Sequence, residues 1–181
     1  MNILVVIDMQ NDFVDRVLGT PEAVKIVPAV ADKIREYAAR GDAVIATRDT
    51  HGEDYLTTQE GRNLPVVHCV RGTPGWQLNA DVAAALPESA VIIDKPTFGS
   101  TELVEVIGRY ASEAGQENVL VELIGLCTDI CVVSNALLLK ANYFEMPLSL
   151  DARCCAGVTP EKHAAALETM ASCQIEIHGL Q

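Results

Sequence analysis

Short runs of valine, isoleucine and leucine recur along the chain, and segments with helical spacing separate them. Strands that are apolar throughout are typical of a parallel sheet buried on both faces. The expected strands are Asn2–Ile7, Ala43–Thr47, Ala90–Ile93, Asn118–Ile124, Leu148–Leu150 and Ile175–Ile177. The expected helices are about Glu22–Arg40, Trp76–Leu86, Ser100–Ala114, Thr128–Ala141 and Pro160–Ser172. The alternation predicts an α/β fold, a three-layer α/β/α sandwich whose central sheet is mostly parallel and has about six strands.

The length and composition of the chain favour one folding unit. Its 181 residues are 49% apolar, which is enough for one substantial core. No repeat or low-complexity linker divides it, so we expect a single domain over residues 1–181. The segment from Asp49 to Gly75 is long, polar and poorly periodic, and an insertion of that kind is usually functional.

Charge and cysteine usage exclude several classes of partner. Asp and Glu number 25 against 13 Lys and Arg, and the net charge of -12 repels phosphate backbones and anionic lipid. The apolar run Ile3–Ile7 ends at Asp8, which is too short for a signal peptide or a membrane span. We therefore expect a cytoplasmic protein without nucleic-acid or membrane partners, whose six cysteines are reduced.

Polar residues follow several of the expected strands directly. In open parallel sheets the ligand crevice lies at the carboxyl ends of the strands, which singles out Asp8, Asp49, Lys95 and the segment 125–131. Asp8 follows an apolar run, and partial desolvation raises the proton affinity of a carboxylate, as a general base requires. Taken alone, Asp8 can also cap a turn, and Lys95 can also be a solvated lysine.

The segment 125–131 has the pattern of a strand end, a tight turn and a helix start. Thr128 is the expected N-cap, which places Cys131 in the first helical turn. A thiol there feels the positive end of the helix dipole and free backbone N–H groups, which favour a thiolate and can hold an oxyanion. A small buried core cysteine is the alternative, and the spacing of Cys127 and Cys131 does not match a CxxC redox pair.

Two histidines and two carboxylates lie in the long polar insertion, at Asp49, His51, Glu60 and His68. This donor set suits zinc, manganese or iron(II). His163, on an expected helix, and His178, near the end of the chain, are expected to face solvent. The insertion is therefore the candidate metal site.

The chain resembles the isochorismatase-like cysteine hydrolases, which include nicotinamidases, over essentially its whole length. Five motifs carry the resemblance: VVIDMQNDF at 5–13, TRDTH at 47–51, HCVRGTPG at 68–75, DKPTFGS at 94–100 and GLCTDICV at 125–132. The resemblance implies a Rossmann-like fold and a catalytic triad of Asp8, Lys95 and Cys131. It also implies a cis peptide between Leu126 and Cys127, with the backbone N–H groups of Cys127 and Cys131 forming an oxyanion hole.

The same resemblance bears on the metal site. Asp49, His51 and His68 match metal ligands of nicotinamidases, in which a fourth ligand lies between the second and the third. Thr57 stands where that ligand is often histidine, and Glu60 matches the glutamate variant of the site. Glu53 and Asp54 remain alternatives. The implied cofactor is a divalent metal, with zinc first and manganese or iron as alternatives.

Phe13 and Leu126 are the substrate contacts that the resemblance implies, whereas Val67 replaces the aromatic residue that often precedes the third ligand. We expect a cysteine hydrolase that cleaves a small non-peptide amide through a thioester on Cys131. The alternatives are hydrolysis of carbamoyl or ureido compounds and a non-catalytic redox or metal-binding module that uses Cys127 and Cys131. Family members commonly form homodimers or homotetramers, and the resemblance implies the same here.

Overall fold

Six strands form one central sheet in the computed structural model, which describes residues 1–180. The strands are β1 (Asn2–Ile7), β2 (Ala43–Asp49), β3 (Val91–Lys95), β4 (Leu120–Leu126), β5 (Leu148–Ala156) and β6 (Glu176–His178). Their order is β3-β2-β1-β4-β5-β6, and every neighbouring pair is parallel. The predicted α/β class is confirmed, and the sheet is parallel throughout.

Helices cover the sheet, and the interior strand β1 is almost completely buried. The helices are α1 (Asn11–Val14), α2 (Pro21–Arg40), α3 (Gln59–Asn63), α4 (Ala80–Ala85), α5 (Thr101–Ala114), α6 (Val133–Asn142) and α7 (Pro160–Ser172). α2 packs with α4, whereas α6 packs with both α5 and α7. Within residues 1–180, no helix combines the length and apolar character that crossing a bilayer requires.

Capping residues explain why three helices begin where the sequence predicts. The side chains of Thr20, Ser100 and Thr159 accept hydrogen bonds from the first turns of α2, α5 and α7. Each satisfies a backbone N–H that the helix itself leaves unpaired. Gly41 ends α2 with a φ of 74°, a left-handed conformation that glycine adopts without strain.

One predicted helix and one predicted strand differ clearly in length from the observed elements. The helix expected at Trp76–Leu86 is limited to α4, because Asn79 caps it by accepting a hydrogen bond from the backbone of Asp81. β5 continues to Ala156, well past the predicted end at Leu150, although Asp151 interrupts its apolar pattern. In the long insertion, a 3₁₀ turn at Tyr55–Thr57 precedes α3.

The order of the strands reverses between β1 and β4, and a ligand crevice is expected at such a switch point. Gly125 allows these two strands to approach closely at their carboxyl ends. Its φ is 118°, and a Cβ atom there would lie 2.1 Å from the backbone oxygen of Ile7. The ends of β1, β2, β3 and β4 therefore surround one crevice.

Candidate active site

Three buried side chains, those of Asp8, Lys95 and Cys131, meet at this crevice and are called the thiol cluster below. Nζ of Lys95 lies 2.6 Å from Oδ2 of Asp8 and 3.4 Å from Sγ of Cys131. The same ammonium donates a hydrogen bond to the backbone oxygen of Thr97, at 3.0 Å. Lys95 thus connects a carboxylate and a thiol that come from distant parts of the chain.

Burial controls protonation within the thiol cluster. It raises the pKa of the Asp8 carboxyl, and this effect outweighs the lowering by the positive charge of Lys95. Burial and the Asp8 carboxylate raise the pKa of the Cys131 thiol well above its usual value. Burial lowers the pKa of Lys95, but the charges of Asp8 and Cys131 raise it overall. The buried site therefore disfavours the thiolate form of Cys131, contrary to the effect expected from the helix dipole.

The chain turns sharply after β4 to present Cys131. The peptide between Leu126 and Cys127 is cis, and residues Thr128–Val132 form a single π-helical turn before α6. The backbone N–H of Val132 donates to the oxygen of Cys127 across this turn, at 3.1 Å. Cys131 lies in the first helical turn, as the sequence predicts, but that turn is π-helical and α6 begins only at Val133.

Thr128 does not act as the predicted N-cap. Its hydroxyl lies 2.8 Å from Nδ1 of His163, which is only partly exposed. The expectation that His163 faces solvent is therefore wrong, whereas His178 is exposed as expected. A contact between two distant segments has replaced the local cap.

Four further side chains gather beside the thiol cluster, and we call them the four-ligand group: Asp49, His51, Glu60 and His68. One ligand atom from each lies within 4.8 Å of all the others. Nε2 of His51 is 2.9 Å from Asp49 Oδ2, and Nε2 of His68 is 3.5 Å from the same oxygen. The Glu60 carboxylate lies 3.7 and 3.8 Å from the two imidazole nitrogens.

These separations fit one small divalent cation. Tetrahedral ligands about 2.0–2.1 Å from zinc are about 3.4 Å from one another. Oδ1 of Asp49 and Nε2 of His51 are buried without a hydrogen-bond partner within residues 1–180, and coordination would satisfy such atoms. Glu53 and Asp54, the alternative fourth ligands, are exposed and lie outside the group.

Hydrogen bonds outside the four-ligand group hold two of its members, Asp49 and His68, in place. Gln10 accepts a hydrogen bond from the backbone N–H of Asp49 at 2.7 Å and donates one to its carbonyl at 2.8 Å. Nδ1 of His68 lies 2.7 Å from the backbone oxygen of Val66, which leaves Nε2 for the group. Burial raises the pKa of Asp49, but the nearby imidazoles of His51 and His68, together with the charge of Lys95, lower it overall. Sequence reasoning missed Gln10, although it stands in the motif that contains Asp8.

A pocket of about 280 Å³ opens onto both sets of residues. Asp49, Glu60, His68 and Cys131 lie in its lining. Its remaining walls are largely apolar and include Phe13, Leu18, Leu64, Phe98, Ile130 and Val158. Of the two predicted substrate contacts, Phe13 lies in this lining, whereas Leu126 is buried outside it and its neighbour Cys127 reaches the pocket.

Comparisons with known proteins agree with this arrangement. The Isochorismatase domain family model matches residues 2–179. A nicotinamidase from Schizosaccharomyces pombe is 28% identical, and the alignment covers 96% of this chain and 91% of that protein. A pyrazinamidase from Pyrococcus horikoshii, solved in complex with zinc, is 32% identical with a TM-score of 0.83, and 99% of each chain is covered. An N-carbamoylsarcosine amidase from Thermoplasma acidophilum shares the fold at 23% identity, with a TM-score of 0.75 and coverage of 97% and 94%.

Proposed function

The chain belongs to the isochorismatase family, and we propose that it is a cysteine hydrolase that cleaves the C–N bond of a small, non-peptide amide. One observation carries the proposal. The Lys95 ammonium lies within 3.4 Å of both the Asp8 carboxylate and the Cys131 thiol, and Cys131 lines a pocket large enough for a small molecule. A base, a cation and a nucleophile are thus in mutual reach.

The proposed reaction begins with proton transfer from Cys131 to Asp8, while the Lys95 ammonium stabilises the thiolate. Sulfur attacks the carbonyl carbon, and the backbone N–H groups of Cys127 and Cys131 hold the oxyanion. The C–N bond then breaks, and Asp8 returns the proton to the departing ammonia or amine. Water hydrolyses the thioester and restores the thiol. Each oxyanion donor contributes about a hundredfold to a thousandfold in rate.

We propose that the substrate is a planar, heteroaromatic carboxamide. The relatives named nicotinamidase and pyrazinamidase support this class. Two phenylalanine side chains, Phe13 and Phe98, line the pocket and can contact the faces or edges of a ring. Phe13 therefore supplies one aromatic wall although Val67 supplies none.

Ammonia release from nicotinamide and pyrazinamide tests the reaction. We expect Cys131→Ala to lose all measurable turnover, because it removes the nucleophile. Cys173→Ala is the matched control and keeps wild-type turnover, since that cysteine lies in neither the thiol cluster nor the pocket lining. Intact mass after rapid quenching should give an acyl adduct that maps to Cys131. Wild-type turnover in Cys131→Ala would refute the mechanism.

We further propose that the four-ligand group binds zinc, with manganese and iron as alternatives. When bound, a divalent cation supplies a Lewis acid that can activate water or orient a ring nitrogen. Elemental analysis of protein purified without chelator or affinity tag should give near-stoichiometric metal. We expect His51→Ala to lose this metal and His178→Ala to keep it. A metal-free protein with full activity would count against the assignment.

Lys162 favours a second candidate substrate class, carbamoyl or ureido compounds that carry a carboxylate. It is exposed and lines the pocket, and no carboxylate of residues 1–180 forms an ion pair with it. An ammonium in this place can attract an anionic substrate. N-carbamoyl amino acids turned over faster than nicotinamide, with a KM raised by Lys162→Ala, would select this class. An unchanged KM would exclude it.

We also propose a cytoplasmic homodimer or homotetramer built from one domain per chain. All six cysteines are free, which suits a reducing compartment. The edge strand β3 exposes Val91 and Ile92, and apolar edge residues are often covered by a second subunit. Sedimentation equilibrium of the purified protein measures the number of subunits, and a monomer at micromolar concentration would contradict the assembly.

A further inference from the structure

Thr47 contacts the carboxylate of Asp8 from the neighbouring strand. It is a buried residue of β2, and its hydroxyl donates a hydrogen bond to Oδ1 of Asp8 at 2.7 Å. The backbone N–H of Asp8 lies 3.2 Å from the carbonyl oxygen of Thr47 and 3.3 Å from its hydroxyl oxygen. Thr47 therefore holds both the main chain and the side chain of Asp8.

The hydrogen bonds around Asp8 distinguish its two oxygens. Within residues 1–180, Oδ1 of Asp8 is the acceptor for the Thr47 hydroxyl hydrogen. The other oxygen, Oδ2, lies 2.6 Å from the Lys95 ammonium and accepts no well-directed hydrogen bond from the described residues. The same ammonium contacts Sγ of Cys131, so Oδ2 is the oxygen paired with the cation that also reaches the thiol.

We propose that Thr47 is a positioning residue, whose hydroxyl occupies Oδ1 of Asp8 and thereby makes Oδ2 the oxygen that takes the Cys131 proton. This inference rests on the proposed function. In the step concerned, the S–H bond breaks, an O–H bond forms at Oδ2, and the electron pair stays on sulfur. Without the hydroxyl, the carboxylate can rotate about its Cβ–Cγ bond, and both oxygens compete for the proton.

Thr47 does not line the pocket, so its effect should appear in the chemical step rather than in substrate binding. A hydrogen bond to a carboxylate in a buried site stabilises one geometry by an amount that corresponds to about tenfold to a hundredfold in rate. Thr47→Val keeps the branched shape and removes the hydroxyl. Thr47→Ser keeps the hydroxyl and removes only the methyl group. The two variants form a matched pair.

The test measures how fast nicotinamide or pyrazinamide, whichever the wild type hydrolyses, acylates Cys131 in a single turnover at one neutral pH, followed by mass spectrometry of the peptide that contains it. We expect Asp8→Asn to slow acylation strongly, because no carboxylate then takes the thiol proton or returns it to the leaving ammonia. Thr47→Val should slow acylation about tenfold or more, and Thr47→Ser should stay within about threefold of wild type. With any amide that is hydrolysed, Thr47→Val should lower kcat and leave KM unchanged. Circular dichroism checks that each variant folds.

The outcomes separate this inference from the proposed function. If Asp8→Asn slows acylation but Thr47→Val reacts at the wild-type rate, the role of Thr47 is refuted and the mechanism stands. A serine variant as slow as the valine variant would refute it too, because the hydroxyl would not be the cause. If Asp8→Asn leaves acylation of Cys131 unchanged, the base assignment itself fails. Should Thr47→Val not fold, Thr47→Ala replaces it, with the same expected slowing and the same refuting result.

Discussion

The protein buries two groups of opposite charges, and they differ in how completely their polar atoms are paired. The first group is formed by the charged side chains at the crevice. The second group, called here the α2 ion cluster, joins Lys33 of α2 to Glu122 of β4 and Asp151 of β5. Nζ of Lys33 lies 3.1 Å from Glu122 Oε1 and 2.9 Å from Asp151 Oδ2. Tyr37 donates to the other oxygen of Glu122 at 2.8 Å, and Arg153 donates to both oxygens of Asp151. Every carboxylate oxygen of this cluster has a partner.

The crevice at the ends of β1 to β4 is different. Oδ2 of Asp8, Oδ1 of Asp49 and Nε2 of His51 are buried without a well-directed hydrogen bond within residues 1–180, although Lys95 Nζ lies 2.6 Å from the first of these atoms and Asp49 Oδ2 lies 2.9 Å from the third. Buried polar groups are normally paired, and an exception calls for a reason such as a catalytic role or an ion. The comparison teaches that complete pairing fixes α2 to the sheet, whereas incomplete pairing leaves atoms that can receive a proton, a cation or a substrate.

The pKa values of Asp8 and Asp151 differ in the way that this difference in pairing predicts. Burial raises the pKa of Asp8, and the ammonium of Lys95 does not reverse this. Burial also raises the pKa of Asp151, but hydrogen bonds from Arg153 and Lys33 outweigh it and lower the pKa well below the usual range. The fully hydrogen-bonded Asp151 carboxylate is thus favoured in its ionised form, whereas the Asp8 carboxylate takes up a proton more readily.

The largest expected effect is that of Lys95→Met. Loss of the ammonium removes the charge that stabilises the Cys131 thiolate, so we expect amide turnover to fall about a thousandfold. The fold should persist, because the raised pKa lets Asp8 take up a proton instead of remaining as an unpaired buried charge. Steady-state kinetics and the urea midpoint measure the two effects. If Lys95→Met kept its turnover, the charges at the crevice would have no catalytic role to distinguish them from the α2 ion cluster.

Lys33→Met makes the same substitution in the α2 ion cluster and should give the opposite result. It leaves Glu122 and Asp151 without their shared cation, which we expect to lower the free energy of unfolding by about 3 kcal/mol. Turnover per folded molecule should stay within about twofold of wild type, since Lys33 does not reach the pocket. Urea denaturation and active-site titration measure both. Lost turnover without lost stability would place Lys33 in the catalytic machinery.

The sequence predicts the crevice because simple rules act there. A parallel sheet brings the carboxyl ends of its strands together, so the residues that follow the apolar runs, Asp8, Asp49 and Lys95, had to be neighbours. The predicted starts of β1, β2 and β5 match the observed ones, and those of β3, β4 and β6 lie one or two residues early. Glu60 was the favoured fourth ligand of the alternatives considered, and it lies with the two histidines.

Other features depend on contacts that no local pattern encodes. The helical segment begins at Thr128 as predicted, but its first turn is π-helical, and the hydroxyl of Thr128 lies against His163 instead of capping the helix. Burial raises the pKa of the Cys131 thiol, whereas the local dipole argument predicts a lower one. Gln10 and Thr47 hold their functional neighbours through hydrogen bonds to residues 39 positions away in the chain. Such pairings become visible only when the sheet is assembled.

The smallest expected effect tests whether pairing in the α2 ion cluster is a matter of stability alone. Tyr37→Phe leaves one oxygen of Glu122 without its hydroxyl donor, and we expect a loss of about 2 kcal/mol in the free energy of unfolding, with unchanged kcat and KM. Tyr143→Phe is the matched control. Its hydroxyl donates at 2.8 Å to the neutral backbone oxygen of Val104, so the loss should be about 1 kcal/mol. Equal losses in the two variants would mean that the charge of Glu122 adds nothing, and the contrast with Asp8 would then rest on geometry alone.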